Sequence, residues 1–152
     1  MENEVTPEHM AAWEILIRTV GALVKTFDYE MEKSVGLPLT WYDVLIQLSD
    51  AAEGRLRMQA LADRVVLSRS GLTRLVDRME KAGLVRREHS REDRRGYYAV
   101  LTEEGRRLFA QAQPIHHQGI QEHFARHLSD ADVQAFTHII GKVRQAIQPS
   151  TD

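Results

Sequence analysis

The stretch LADRVVLSRSGLTRLVDRMEKAGLVRR, Leu61–Arg87, contains two short helical patterns separated by a polar turn. The first pattern covers residues 59–65. The second covers residues 69–82 and carries apolar side chains at the 3.6-residue period of a helix. Ser68 stands at the N-cap position of the second helix, and Gly83 at its C-terminal stop. Two helices joined in this way predict a helix-turn-helix, whose second helix enters the major groove of DNA.

The second helix has two chemically different faces. Leu72, Leu75, Val76 and Met79 form the inward stripe, and the opposite face is polar. Hydroxyl and guanidinium groups on one helix face suit contacts to base edges and phosphates. An ordinary amphipathic helix with a solvated face is the alternative. The residues expected to contact DNA here are Ser68, Arg69, Ser70, Thr73, Arg74 and Arg78, with Arg74 placed best for a bidentate contact to guanine.

A charged hairpin follows the second helix. Strands are predicted over residues 84–89 and 97–101, and the loop between them is SREDRRG. A slender basic loop can enter the minor groove, where the potential of DNA is most negative. We therefore expect Arg91, Arg94 and Arg95 to contact DNA as well. A solvated hairpin is the alternative, but helix and hairpin together predict a winged helix-turn-helix.

Long amphipathic helices flank this central part. The first begins after Thr6-Pro7 and runs to about residue 34, and a helix with a capping box at Thr40–Asp43 follows it. Thr102 is expected to cap a helix reaching residue 128, and Ser129–Asp132 to cap the last one. The predicted fold is mainly α (α+β): one domain over residues 1–152, with a winged-helix lobe at 38–101 and dimerisation helices at 6–34 and 102–147. Apolar stripes on the end helices predict a homodimer.

Composition limits the function classes. The chain has 152 residues, 43% hydrophobic and 28% charged, and a net charge of −2. Residues 55–95 hold 12 Lys and Arg against 6 Asp and Glu, whereas the rest holds 8 against 16. A basic centre in an acidic chain is typical of a surface that binds a polyanion. The chain has no cysteine, so disulfides and thiolate sites are excluded. With no membrane-length apolar run and no visible signal peptide, we expect a cytoplasmic protein.

The strings LTRLVDRMEKAGLV and DRRG…LTEEG, in this order and spacing, resemble those of the MarR family of transcriptional regulators. The resemblance covers nearly the whole chain. It implies a homodimeric winged-helix repressor that binds a pseudo-palindromic operator and releases it when a small molecule binds. Ser70, Thr73 and Arg74 match the family's base-reading positions, and Arg94 and Arg95 its wing arginines. Many members have an Asp at the start of the recognition helix, where this chain has Ser68.

The resemblance also implies an effector pocket between the dimerisation helices and the DNA-binding lobe. A small aromatic or anionic organic molecule is the expected effector, because neither a cysteine sensor nor a complete metal motif is present. Phe27 and Phe109 are further candidates for the pocket wall, although aromatic residues at helical spacing are more often plain core. The residues expected to contact the effector are His9, Trp13, Arg18, Trp41, Tyr42 and His116.

The sequence leaves three other functions to consider. A zinc-responsive regulator would use His116, His117, His123 and His127, which are predicted to share one helix, with His123 and His127 spaced i, i+4. No local motif fixes a third ligand, so neither a metal nor a cofactor is predicted. An enzyme is not predicted, because no GxSxG, P-loop, HExxH or GxGxxG string occurs. A winged-helix interaction module that does not bind DNA is the last alternative.

Overall fold

The computed structural model describes residues 4–147, in which one compact unit ends at His116 and a second begins at His117. The elements in chain order are α1 (Pro7–Val35), α2 (Leu39–Ser49), β1 (Arg55–Arg57), α3 (Met58–Arg64), α4 (Leu72–Lys81), β2 (Val85–His89), β3 (Tyr97–Leu101), α5 (Glu103–His123) and α6 (Asp130–Ile147). Within residues 4–147, no helix has the length and apolar character that a membrane span requires.

The first helix begins and ends where the sequence predicts. Thr6 accepts a hydrogen bond from the backbone N–H of His9, and the His9 ring accepts one from the Thr6 N–H, so both members of a capping box are present. Gly36 closes the helix in the left-handed conformation, with φ of 66°. The 29 residues of α1 span about 43 Å.

The start of α2 differs from the prediction. The expected capping box at Thr40–Asp43 is wrong, because the helix already begins at Leu39 and its first turn has no cap from these residues. The cap comes instead from α1, where the Asp28 carboxylate accepts the Leu39 N–H at 2.8 Å. Asp43 lies in the second turn of α2 and contacts a different part of the chain. A cap supplied from eleven residues away leaves no local signal in the sequence.

Three antiparallel strands complete the predicted winged helix. They lie in the order β1-β3-β2, and Ala99 in the central strand is paired with Leu56 on one side and Arg87 on the other. Helices α2, α3 and α4 cover the sheet with a continuous apolar core. The side chains in it with no exposed surface include Val44, Leu45, Leu48, Leu61, Val76 and Met79.

The junction between β2 and α5 is tightly packed. Thr102 caps α5 as predicted, accepting the Gly105 N–H at 3.0 Å and donating its hydroxyl to the Gly83 carbonyl at 2.6 Å. A Cβ atom on Gly105 would lie 2.1 Å from the Leu84 carbonyl oxygen, so no larger residue fits without a backbone shift. This contact explains why glycine is needed in the string LTEEG.

The second unit corrects the predicted length of α5. The helix ends at His123, not near residue 128, because Phe124 has non-helical angles of φ −134° and ψ −65°. A short 3-10 turn, Ala125–His127, follows. Ser129 and Asp132 then exchange the predicted capping hydrogen bonds at the start of α6. The prediction that His123 and His127 lie on one helix is therefore wrong.

Candidate nucleic-acid interface and adjoining cavity

Helix α4 presents the polar face that the sequence predicts. Its inward residues Leu72, Leu75, Val76 and Met79 are buried, and the residues expected to contact DNA that lie exposed on or just before the helix are Arg69, Ser70, Thr73, Arg74 and Arg78. The helix begins at Leu72 rather than Arg69. Gly71 is its N-cap residue in the left-handed conformation, with φ of 79°, a geometry that favours glycine. The backbone at the start of α4 is therefore open to a close approach.

Of the predicted contact residues just before the helix, Ser68 has a role that differs from the prediction and Arg69 does not. Ser68 is only 6% exposed and does not cap α4, so its predicted capping role is wrong. Its hydroxyl donates to the Thr40 carbonyl at 3.2 Å, which leaves it directed into the protein. Arg69 is exposed and lies 3.4 Å from the Asp63 carboxylate. Arg69 therefore retains its access to a phosphate, whereas Ser68 serves the fold.

Arg87 on β2 tethers the recognition helix, and sequence reasoning missed it. Its guanidinium pairs with the Asp77 carboxylate and donates to the Thr73 carbonyl at 3.1 Å. Its backbone N–H donates to Glu80 at 2.9 Å. The one signal in the sequence was the acidic Asp77 on an otherwise basic face, which calls for a neutralising partner. The tether compensates the negative charge that would otherwise oppose a phosphate backbone.

The wing is a compact turn braced from β1. The Ser90 N–H donates to the Gly96 carbonyl at 2.8 Å, and the Ser90 hydroxyl oxygen accepts from the N–H groups of Glu92 and Asp93. Arg57 donates to the hydroxyl oxygens of Ser90 and Tyr98. The hydrogen bond to Tyr98 raises the pKa of Arg57 above its usual value. The turn is thus fixed by Ser90 and by Arg57 of β1, and none of these hydrogen bonds uses the side chain of Arg91, Arg94 or Arg95.

The exposed cations of the helix and wing are open to a partner. Asp93 accepts the Arg95 backbone N–H at 3.0 Å, but within residues 4–147 its carboxylate forms no ion pair with a wing arginine. Among the same residues, ion pairs tie Arg55, Arg57, Arg69, Arg86 and Arg87 to carboxylates of the same unit. Within that part of the chain, the cations of α4 and the wing that have no carboxylate within ion-pair distance are Arg74, Arg78, Lys81, Arg91, Arg94 and Arg95.

An apolar cavity of about 230 Å³ lies beside α2, with Tyr42 and His116 in its wall. The two rings are 4.7 Å apart, and His116 also meets Phe27 edge-on at 5.5 Å. The Tyr42 hydroxyl is buried and has no hydrogen-bond partner within residues 4–147. Burial, with a smaller effect from Asp50, raises the pKa of Tyr42 to about 12. The cavity therefore offers apolar walls, which suit a small aromatic molecule, and the unsatisfied Tyr42 hydroxyl is buried behind its wall.

The other residues proposed for the effector site do not line this cavity. The ring of His9 is engaged in the cap of α1, and Arg18 forms an exposed ion pair with Glu14 at 2.7 Å. Trp13 is 58% exposed on α1, and Trp41 is half-buried against the core on a different side of α2. Of the six predicted residues, the structure brings only Tyr42 and His116 together at the cavity.

The histidines give no support to a zinc site. In the part of the chain that the structure describes, no group of three or more His, Cys, Asp or Glu side chains is placed to hold a metal ion. The Nε2 atom of His127 lies 3.0 Å from the Glu122 carbonyl oxygen, at the end of α5. The zinc-responsive alternative therefore has no structural basis here.

A winged helix-turn-helix with a basic reading helix and a basic wing defines the class of DNA-binding transcriptional regulators. The family model of the MarR family matches residues 35–96. The chain is also similar to the crystal structure of Sco3205, a MarR family transcriptional regulator from Streptomyces coelicolor, in complex with DNA. That match has a TM-score of 0.88 and 30% identity, and covers 99% of this chain and 94% of the other. The chain belongs to the MarR family.

Two curated relatives agree with this assignment. The uncharacterised HTH-type transcriptional regulator YfiV of Bacillus subtilis is 30% identical over 108 residues, which are 71% of this chain and 66% of the relative. The transcriptional regulator HosA of Escherichia coli is 36% identical over 87 residues, which are 57% of this chain and 64% of the relative. The matched part of the chain thus spans slightly less than two thirds of each of these regulators.

Proposed function

We propose that this chain is a ligand-responsive repressor that binds a pseudo-palindromic operator as a homodimer. The single observation that carries DNA binding is the set of cations without ion pairs, within residues 4–147, on α4 and the wing. Polar residues of α4 read base edges in the major groove, with Arg74 as the bidentate contact to guanine. Arg94 and Arg95 reach the minor groove or the phosphates beside it. Arg69, Ser70, Thr73, Arg78 and Arg91 complete the proposed contact set, from which Ser68 is withdrawn.

The dimer would use the helices outside the winged lobe. Apolar side chains on α1 and α6 are exposed in the single chain, and a second copy of the chain would bury them. Under this proposal residues 1–152 form one MarR-type domain, with the lobe at 38–101 and the dimerisation helices at 6–34 and 102–147. The exposed apolar residues that support the interface are Trp13, Ile17, Val20, Val133, Phe136, Ile139 and Val143.

The effector would be a small aromatic molecule, neutral or anionic, bound in the cavity beside α2. The unsatisfied Tyr42 hydroxyl would hydrogen-bond its polar group, and the rings of Phe27 and His116 would contact its aromatic part. Binding would lower DNA affinity only to the extent that the ligand prefers the form that does not bind DNA. A hundredfold weakening corresponds to about 2.7 kcal/mol of coupling. We further propose that the chain acts in the cytoplasm, by binding and without catalysis.

The decisive experiment is a binding titration at several salt concentrations. An operator is first selected from random duplexes with the purified protein, and its affinity is compared with that of a scrambled duplex by fluorescence anisotropy. A regulator requires a preference for the selected duplex and a steep negative slope of log affinity against log salt. If neither duplex binds, the alternative of a winged-helix interaction module that does not bind DNA is correct.

A further inference from the structure

The loop between α3 and α4, residues 65–71, is attached to α2 by side-chain hydrogen bonds. The Asp43 carboxylate accepts the backbone N–H groups of Val66 and Leu67, both at 2.8 Å. Just beyond them, the Ser68 hydroxyl donates to the Thr40 carbonyl. We name the two hydrogen bonds to Asp43 the loop clamp. It joins the loop that leads into the recognition helix to α2, whose Val44, Leu45 and Leu48 are fully buried.

The first turn of the recognition helix is packed on the core through Leu72 and bonded to Arg87 at the Thr73 carbonyl, but its N-terminal end has no side-chain cap. Its N-cap is Gly71, which offers no side chain, and a Cβ at Gly71 would meet no atom within 4 Å. The backbone hydrogen bonds of α3 end at Val65, and those of α4 begin with Leu75 donating to Gly71. The polypeptide between these points leads directly into Ser70, Thr73 and Arg74. The side-chain hydrogen bonds that hold this polypeptide to α2 are those of the loop clamp and the one from Ser68.

Asp43 is an unusual choice for a purely structural residue at this place. It is 8% exposed, and within residues 4–147 no Lys, Arg or His side chain forms an ion pair with it. Burying a carboxylate without a counter-ion is costly unless it accepts well-placed hydrogen bonds. The two N–H groups of the clamp supply such bonds. Asp43 also lines the cavity, together with Val66 and Leu67.

We propose that Asp43 is a positioning residue for DNA recognition: its two hydrogen bonds to the loop set the recognition helix at the depth and angle that base reading requires. This inference rests on the proposed DNA binding. Base contacts tolerate little misplacement, whereas attraction to phosphates is long-ranged and tolerates more. Removal of the clamp therefore lowers the preference for the operator more than it lowers general affinity for DNA.

The test compares Asp43→Ala with the matched control Asp28→Ala. Asp28 also accepts one backbone N–H, that of Leu39, but it does not contact the loop. For Asp43→Ala, we expect the ratio of operator to scrambled-DNA affinity to fall at least tenfold, with less than threefold change in affinity for scrambled DNA at low salt. Asp43→Asn keeps one acceptor oxygen and should recover most of the ratio. Asp28→Ala should keep the ratio even if it unfolds at a lower temperature.

A folded Asp43→Ala variant with an unchanged ratio would overturn the inference, as would an equal fall in Asp28→Ala. If the wild-type protein itself showed no preference for operator over scrambled DNA, the proposed function would be wrong instead. The two failures are thus distinguishable. Hydrogen exchange provides a test that needs no variant. The Val66 and Leu67 amides of the wild-type protein should exchange at least tenfold more slowly than those of Arg69 and Ser70. Equal rates would show that the clamp does not form.

Discussion

At the scale of single residues, Arg74 of the recognition helix should contribute to base-specific binding rather than to general affinity for DNA. Arg74→Ala should cost about 1–3 kcal/mol of operator affinity and relax the preference at one base pair, because alanine cannot form the bidentate hydrogen bonds to a base edge. Binding to a set of single-base operator variants measures this. The control is Arg144→Ala, which removes the same charge from exposed α6. Equal weakening on operator and scrambled DNA would contradict the assignment of Arg74.

The buried hydroxyl of Tyr42 should affect the free energy of unfolding and its dependence on pH. Its buried hydroxyl has no partner within residues 4–147, so Tyr42→Phe should stabilise the protein by ~1 kcal/mol near neutral pH. The pKa of Tyr42 is about 12 in the folded protein and about 10 in the unfolded chain. Ionisation of Tyr42 therefore does not affect the stability below pH 10, and it destabilises the folded protein progressively as the pH rises from 10 to 12. The free energy of unfolding should fall more steeply over this range in wild-type protein than in Tyr42→Phe, since the other tyrosines are common to both.

The same substitution tests the effector site. Benzoate and phenol are suitable probes, since one is anionic and the other neutral. If Tyr42 donates to the effector, whichever probe weakens operator binding should act at least tenfold more weakly on Tyr42→Phe, while operator affinity without the probe stays unchanged. An undiminished response in the variant would place the effector elsewhere.

Sequence reasoning succeeded for residues whose role is local and failed for those whose partners are distant. The face of α4 follows from helical periodicity, and the Thr6 cap follows from a capping residue that directly precedes Pro7. Asp43 and Ser68 were assigned to helix caps, whereas their partners lie 23 to 28 residues away in the chain. Arg87 was missed for the same reason. No spacing rule on one chain segment reveals a hydrogen bond formed between two segments.

At the scale of the elements, the wing should contribute to general DNA affinity and to its salt dependence rather than to base preference. Arg94→Ala and Arg95→Ala should weaken binding to all duplexes similarly, because interactions in the minor groove or with phosphates carry little base information. Removing one cation from a phosphate should reduce the salt slope by about 0.9. Arg107→Ala, at an exposed arginine paired with Glu104 on α5, is the control and should keep the slope. An unchanged slope in both wing variants would exclude the wing from the interface.

The packing of β2 against α5 gives a second prediction at this scale. Gly105→Ala should destabilise the protein by about 1–3 kcal/mol, because its Cβ would overlap the Leu84 carbonyl oxygen. Gly21→Ala is the matched control, since a Cβ there meets no atom within 4 Å and alanine is the better helix former. Thermal unfolding measures both. A Gly105→Ala protein as stable as wild type would show that the junction relaxes easily.

The order of the elements could be predicted almost completely, and their ends less well. The strand over residues 97–101 and the start and end of α1 agree with the structure to within one residue. The end of α5 and the start of α4 do not, because Phe124 and Gly71 adopt non-helical backbone conformations. Residues of the effector site were predicted from the family resemblance. The apolar stripe of α1 alone gave no means of telling that Trp13 and Arg18 lie away from the cavity.

At the scale of the whole molecule, exposed apolar surface on α6 predicts assembly. Replacing Ile139 and Val143 with Glu together should give a monomer near 17.4 kDa, or unfolded chains, because both side chains are exposed in the single chain and would be buried in a dimer. Gln134→Glu with Gln145→Glu introduces the same charges on the same helix at polar positions and should leave a dimer. Light scattering measures the mass. A folded monomer that binds the operator fully would refute the interface.

A dimer that carries two recognition helices also has a consequence for the genetics of its mutants. With α6 intact, a chain that carries Arg74→Ala would still join a normal partner, and the mixed pair would read only half of the operator. In a cell that makes both chains in equal amounts, only a quarter of the pairs would be fully normal. Such an allele would be dominant over the wild type, whereas one that removes the apolar surface of α6 would be recessive.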